Sequence, residues 1–270
     1  MTKNGVIQAA AATQGVTKPA STEKPIDRLK GILSAQSVQD QFKSVLAENS
    51  GSFVASIIDL YNNDKYLQAC DPKQVVMEAL KAASLKLPLN KQLGFTWLVP
   101  YRDGATGNYI PTFQLGYKGY IQLCMRTGAY RYINADVVYE GEIVKQDKLT
   151  GEIELDSSAR KSDMKIGYFA FIETLNGFRK CLYMPTNEVV KHAQRFSKTY
   201  SKGGPWSTDF DAMALKTCLR LLLSRYGIMS IEMQRAHVED SDSVTEQADQ
   251  AIDVEFRLED VQPVESGQVK

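Results

Sequence analysis

Histidine, tryptophan and cysteine are scarce in this chain: two, two and four residues among 270. Cys70, Cys124, Cys181 and Cys218 lie far apart and form no C-x-x-C pair. With only His192 and His237 beside them, a structural zinc site of ordinary spacing is excluded. In a reducing compartment such isolated cysteines read as small core residues. A Ser-His-Asp triad has as little support. The chain also lacks G-x-x-x-x-G-K-[ST], so it has no Walker-type cradle for ATP phosphates. "LGYKGY" sets Lys118 between Gly116 and Gly119, but its spacing fits neither that loop nor G-x-G-x-x-G. No apolar run is long enough to span a bilayer, and the opening "MTKNGVIQAAAATQGVTKPASTEKP" lacks the apolar stretch of a secretory signal. The expectation is a soluble, intracellular protein that carries no metal and no cofactor.

Net charge is lacking too, but only in the sum. Residues 1–80 carry 8 Lys/Arg against 8 Asp/Glu, residues 81–235 carry 22 against 14, and residues 236–270 carry 2 against 10. A body of charge +8 is thus balanced by an end of charge −8. That asymmetry suggests a polyanion-binding middle followed by an acidic tail, although solvated tails of this kind are common.

Periodicity divides the chain. The first 35 residues show no apolar repeat and read as disordered. Three helical patterns follow: "SVQDQFKSVLAE", "GSFVASIIDLYN" and "DPKQVVMEALKAASLKL", the last opened by Asp71 as N-cap and Pro72 at the first helical position. From Leu93 the period falls to two. "LGFTWLVPY" and "YIPTFQLG" read as paired strands, with Pro111 arguing for an edge. Residues 117–127 return to helical period and stop at Gly128. "YRYINADVVYEGEIV" is strand-like, "DKLTGEIEL" suggests a hairpin arm, and "KIGYFAFIETLNGFRKCLYM" is two alternating runs joined by Asn176-Gly177, the pair favoured in a type I′ turn. Two helices close the basic region, one with Thr186 placed to cap it and one with Thr208 and Asp211 placed as a capping box. The fold class is α+β: a helical N-terminal lobe, an antiparallel sheet with a packed helix, then C-terminal helices. Three segments follow: a disordered stretch at 1–35, a binding and oligomerisation domain at 36–235, and a flexible acidic tail at 236–270.

Cations recur at helical spacing within the basic region. Lys118 and Arg126 share a face of the helix over 117–127, Lys191, Arg195 and Lys198 line the next, and Lys216 and Arg220 line the last. Lys202 and Trp206 lie in the loop "FSKTYSKGGPWSTDF". Phe113, Leu115 and Tyr117 alternate into the sheet just before Lys118, with Tyr117 also suited to the core. One such stripe is usually a solvated helix face. Three of them with aromatics between match the composition of a single-stranded nucleic-acid site, where cations track phosphates and rings stack on bases. Five phosphate contacts on a single strand imply a log-affinity against log-salt slope of roughly −3.5, about −0.7 per contact. Neither phosphate contacts nor stacking reads base edges, so binding would be indifferent to sequence. The rival readings are a passive coat protein, an assembly protein whose charges serve subunit contacts, and a nuclease holding Mg²⁺ through Glu140, Glu142, Asp209 and Asp211. Asp209 and Asp211 already have an explanation at the positive end of their own helix.

The blocks "LPLNKQLGFTWLVPY", "FQLGYKGYIQLCMRTGAYRYINADVVYEGE" and "PWSTDFDAMALKTCLRLLLSRYG" resemble, in order and spacing over roughly residues 35–230, the phage and prophage RecT single-strand annealing proteins. The resemblance implies a recombinase that needs no ATP and performs no covalent catalysis. It implies coating of single-stranded DNA as a ring or helical filament and annealing of a complementary strand; since product retention would drive such a reaction forward, tighter hold on the annealed duplex than on either strand is expected from the mechanism. A core related to the ring-forming annealing proteins of eukaryotes, a phage 5′→3′ exonuclease as neighbour and a host single-strand-binding protein as candidate partner follow from it as well. The residues expected to touch DNA, Phe113, Tyr117, Lys118, Arg126, Lys191, Arg195, Lys198, Lys202, Trp206, Lys216 and Arg220, rest on side-chain chemistry within those blocks.

Overall fold

The helical lobe forms because four short amphipathic segments each have one apolar side to hide. The computed structural model describes residues 24–197, 200–202 and 204–241. Helices α1 (Pro25–Ser34), α2 (Gln36–Leu46), α3 (Ser50–Asn62), the single turn α4 (Lys65–Gln68) and α5 (Pro72–Ser84) pack together through Leu29, Leu33, Phe42, Ile57, Tyr61, Val75 and Ala79, all buried. Asp71 caps α5 by accepting from the Lys73 N–H, with Pro72 behind it, as expected. Helix α1 corrects the expectation of disorder through residue 35. Ile26, Leu29, Ile32 and Leu33, at helical spacing, seat it against α3 and α5, a short period that the polar residues before it masked. The part of that expectation covering residues 1–23 lies outside the described residues.

Strands β1 (Thr96–Arg102) and β2 (Tyr109–Leu115) form an antiparallel ribbon in which Pro100 faces Pro111, so each proline sits on an edge. Phe113 and Leu115 point into the core. Helix α6 (Tyr117–Arg126) follows without a side-chain cap and ends at Gly128, φ +65°. The glycines of the "LGYKGY" corner serve packing: a Cβ on Gly116 would meet the Gly94 carbonyl oxygen at 2.2 Å, and one on Gly119 the Phe95 carbonyl oxygen at 2.3 Å.

The central sheet has the order β3 (Tyr130–Tyr139), β6 (Lys165–Thr174), β7 (Arg179–Pro185), all antiparallel, with the β4 (Ile143–Gln146)–β5 (Ile153–Leu155) arm inserted after β3. The β6–β7 turn departs from the expected type I′. Gly177 has φ +87°, Asn176 does not share it, and the Gly177 N–H donates to the Thr174 carbonyl while the Thr174 N–H donates to that of Phe178. This is a three-residue loop with glycine in the left-handed position, and the Asn176 side chain accepts from the Phe178 N–H.

Helices α7 (Thr186–Phe196), the turn α8 (Pro205–Thr208), α9 (Phe210–Tyr226) and α10 (Ile231–Ser241) complete the described chain. Two expected caps move. Thr186 donates its hydroxyl to the Lys165 carbonyl on β6, leaving α7 without a side-chain cap, and α9 is capped by Asp209, which accepts from Ala212, since Thr208 belongs to the preceding turn. Every residue of α9 from Ala214 to Leu223 is buried, because β3, β6 and β7 cover one side and α6 another. Helix α10 crosses the boundary expected at 235, for a reason given below; residues 242–270 of the expected tail lie outside the described residues. The architecture is α+β, as the sequence suggested.

Gly119→Ala is expected to cost about 1–3 kcal/mol, the range for forcing atoms into a packed site. Gly51→Ala, where a Cβ in α3 meets nothing within 4 Å, should be neutral or stabilise by up to about 1 kcal/mol. Thermal unfolding of the two variants side by side checks both.

Candidate nucleic-acid interface

Among the described residues, the cations and rings singled out in the sequence divide into exposed ones, Lys118, Lys191 and Arg195, and ones the fold buries or bonds. Lys118 is exposed near the start of α6, its stem running over Gly94, and has no partner among the described residues. Arg126, two turns on, is a strut: its guanidinium donates to the carbonyls of Leu85 (2.8 Å) and Lys86 (2.9 Å), just past the last turn of α5, where cations are favoured. Phe113 is wholly buried and Tyr117 is half-buried against the core. Lys191 and Arg195 are exposed on α7, with the Arg195 guanidinium 5.0 Å from the Phe196 ring. Trp206 is buried, edge-on to Tyr200 at 6.0 Å and to Phe210 at 5.5 Å. Lys198 and the side chain of Lys202 lie outside the described residues.

Lys216 and Arg220 are interior, 9% and 8% exposed. Lys216 Nζ lies 2.8 Å from Oδ1 of Asp240, a carboxylate with no exposed surface that also accepts from the Leu115 N–H (3.1 Å) and the Tyr120 hydroxyl (3.0 Å). Burial alone would raise the Asp240 carboxyl, but Lys216 and Arg220 together hold it below the usual carboxylate range. The sequence suggested an exposed cationic stripe on α9. The helix is instead covered around its circumference, a situation in which position on a helical wheel says nothing about exposure.

The four carboxylates weighed for metal chemistry are engaged one by one. Asp209 caps α9; Asp211 accepts from Lys165 and from the Tyr168 hydroxyl (2.7 Å). Glu142, buried, accepts from the Tyr139 N–H (2.8 Å), and Glu140 from the Ser162 hydroxyl (2.7 Å). Among the described residues no three potential metal ligands cluster. The block "DFDAMALKT" is therefore structural: a cap, a ring packed on Trp206 and Tyr168, an acid for Lys165, and a lysine for Asp240.

A different surface does assemble aromatics with cations. Side chains alternate along β6, so Tyr168, Ala170 and Ile172 turn inward while Phe169 and Phe171 turn to the opposite face. The β4–β5 arm lies over that face, pinned at its tip by Lys180, which donates to the Thr150 carbonyl (2.6 Å). Between arm and sheet runs a groove of about 400 Å³, with Phe169 and Phe171 on the sheet side, Ile153 and Leu155 on the arm side, and Lys145 and Arg179 at its edge. The Arg179 guanidinium stands 5.7 Å from the Phe171 ring, and its Nε 3.7 Å from Glu173. Lys145 is exposed and without a partner among the described residues. Of the three acids lining the groove, Asp147 is occupied by its own turn, accepting from Leu149 and Thr150, while Glu152 and Glu154, the latter opposite Lys145 in the arm, set negative charge against Lys145, Arg179 and Lys180. Two rings on one face offer a platform on which a base can stack, and Lys145 and Arg179 are the groups of its mixed-charge margin that suit a phosphate. The alternation of "KIGYFAFIET" showed that Phe169 and Phe171 share a face; which face α9 would cover was not readable from it.

The model of the RecT family matches residues 51–254. The chain belongs to the RecT family. It is 47% identical over 226 residues to the uncharacterized protein YqaK of Bacillus subtilis (strain 168), covering 82% of this chain and 76% of that protein. It is also 28% identical over 174 residues to Protein RecT of Escherichia coli (strain K12), 62% of each chain. Membership of the RecT family implies DNA binding and single-strand annealing in recombination, by proteins that bind single-stranded DNA and oligomerise. The groove, Lys118, Lys191, Arg195 and Asp240 all lie within the segment matched to RecT. Among the described residues no helix is long and apolar enough to cross a membrane.

Phe171→Ala is expected to weaken binding of a short oligodeoxythymidylate by roughly 5- to 150-fold, the equivalent of about 1–3 kcal/mol for one stacked base. Fluorescence anisotropy reads the affinity and thermal unfolding confirms the fold. Unchanged affinity in a folded variant would remove the groove from the interface.

Proposed function

We propose that this chain binds single-stranded DNA without sequence preference and anneals complementary strands without ATP, as a ring or filament of subunits in the cytoplasm of a phage-bearing bacterium. The groove is read as the base platform. Lys145, Arg179, Lys118, Lys191 and Arg195 are read as phosphate contacts. The observation that carries this reading is the pair of rings on the groove floor, with Lys145 and Arg179 among the mixed charges lining it, in a member of an annealing family. Annealing requires only that phosphate repulsion between two strands be screened while base edges stay free. Stacking against a ring occupies the face of a base and leaves its edge open, so no covalent step and no nucleotide hydrolysis is needed. A phage exonuclease and a host single-strand-binding protein are the partners such a reaction would draw on.

A passive coat protein would bind with the same chemistry and stop there. Mixing two complementary oligonucleotides with the protein, in the absence of ATP and divalent metal, separates the readings by the appearance of duplex. Acceleration over the protein-free rate is expected, and a protein that binds both strands yet leaves that rate unchanged is a coat. With Lys191→Ala and Arg195→Ala together, the slope of log-affinity on log-salt should flatten by about 1.4, from about 0.7 per lost contact.

A further inference from the structure

We infer that the site filled by Asp240 is a phosphate socket for single-stranded DNA, covered by α10 when the protein is free and uncovered when a strand binds. Three groups from three elements donate to one carboxylate: the Leu115 N–H at the end of β2, the Tyr120 hydroxyl on α6 and the Lys216 ammonium on α9, with the charge of Arg220 on the same helix adding to the pull. A backbone N–H, a hydroxyl and two cations also form the donor set that a phosphodiester oxygen takes, so Asp240 stands where a phosphate would.

The cover is weakly anchored by apolar contact. Of the α10 side chains described, Met233 and Ala236 are the buried apolar ones, while Ile231 is 83% and Val238 60% exposed. Little apolar surface among the described side chains fastens the helix, as in the easily opened parts of a structure. Part of its hold is the ion pair of Asp240 with Lys216, the kind of contact a second polyanion can compete for. Asp240 also begins a strongly acidic stretch, with 10 Asp/Glu against 2 Lys/Arg over residues 236–270, so a segment that mimics DNA in charge is attached directly to the plug.

This inference rests on the single-strand-binding reading, and the experiment separates the two. Asp240→Asn keeps the shape of the plug and removes its charge. In the full chain it should bind a short oligodeoxythymidylate about tenfold more tightly at physiological salt, with a salt slope steeper by about 1.4, as two freed cations require. Adding Lys216→Gln should reverse the gain. Where Asp240→Asn does not fold, hydrogen exchange on the unmodified protein decides: amides of α10 should exchange faster once the oligonucleotide is bound. Oligonucleotide binding by the unmodified protein with α10 equally or better protected overturns the socket and leaves the binding reading standing. An opening of α10 without a gain in affinity for a folded Asp240→Asn overturns it too. Absence of any oligonucleotide binding by the unmodified protein removes the function itself.

Discussion

A cation inside a protein requires an anion beside it, and this fold buries both Lys216 and Arg220. Taking an ion out of water costs several kcal/mol after relaxation, and stripping a buried pair of one partner typically costs about 3–5 kcal/mol. Asp240 meets that requirement from a helix 20 residues further along the chain than Arg220, which ties α10 to α9, β2 and α6 at a single point. The helices around α9 are arranged accordingly. It lies against the sheet through Tyr168, Ala170 and Ile172, against α6 through its other side, and its two cations are neutralised by the one helix left to close the gap. Charge as well as apolar contact thus fastens α10 to the rest of the described chain, and the helix runs past 235, where apolar spacing fades, to Ser241.

The β6 strand shows how one sequence serves two surfaces. Its even-numbered side chains complete the core under α9, and its odd-numbered ones furnish the groove beneath the β4–β5 arm. Because the side-chain period in a strand is two, a slip of one residue would exchange the two sets, placing phenylalanines against α9 and tyrosine under the arm. Tyr168 fixes the register from within: its hydroxyl is held by Asp211 and its ring packs near Phe210. The same "DFD" that opens α9 therefore determines which face of the sheet is left for a ligand.

The sequence made the elements legible wherever a local signal was strong. Asp71-Pro72 opened α5, Gly128 closed α6, alternation found β6 and β7, and turn chemistry found the arm. The family was legible too, since whole blocks carry it. What was not legible depended on the third dimension. Thr186 could have capped α7, but the helix begins at Thr186 itself, with Pro185 in the cap position, and its hydroxyl donates to a carbonyl on β6. Asn176-Gly177 could have formed a two-residue turn, but the strand register required three residues. Lys216 and Arg220 have the spacing of a solvated stripe, and no local rule shows that a sheet, α6 and α10 surround them. Phe169 and Phe171 were visible as a pair and lacked only the knowledge of which side of β6 would remain open. Of the candidate cations, those on surfaces not covered by another element, Lys118, Lys191 and Arg195, kept the exposure that binding needs.

The size of the groove bears on why an annealing protein should oligomerise at all. A space of about 400 Å³ with two rings on its floor has room for one or two bases, not for a strand. Stacking at about 1–3 kcal/mol per base, together with a few screened phosphate contacts, gives a single subunit only weak hold on DNA. Weak individual sites suit the reaction, because a strand must be able to shift register while it searches for its complement. Retention must then come from many subunits engaging one strand, where each further contact is intramolecular and the effective concentration replaces affinity. On this reading oligomerisation supplies hold without sacrificing mobility, and a tighter groove in each subunit would defeat the search it is meant to assist.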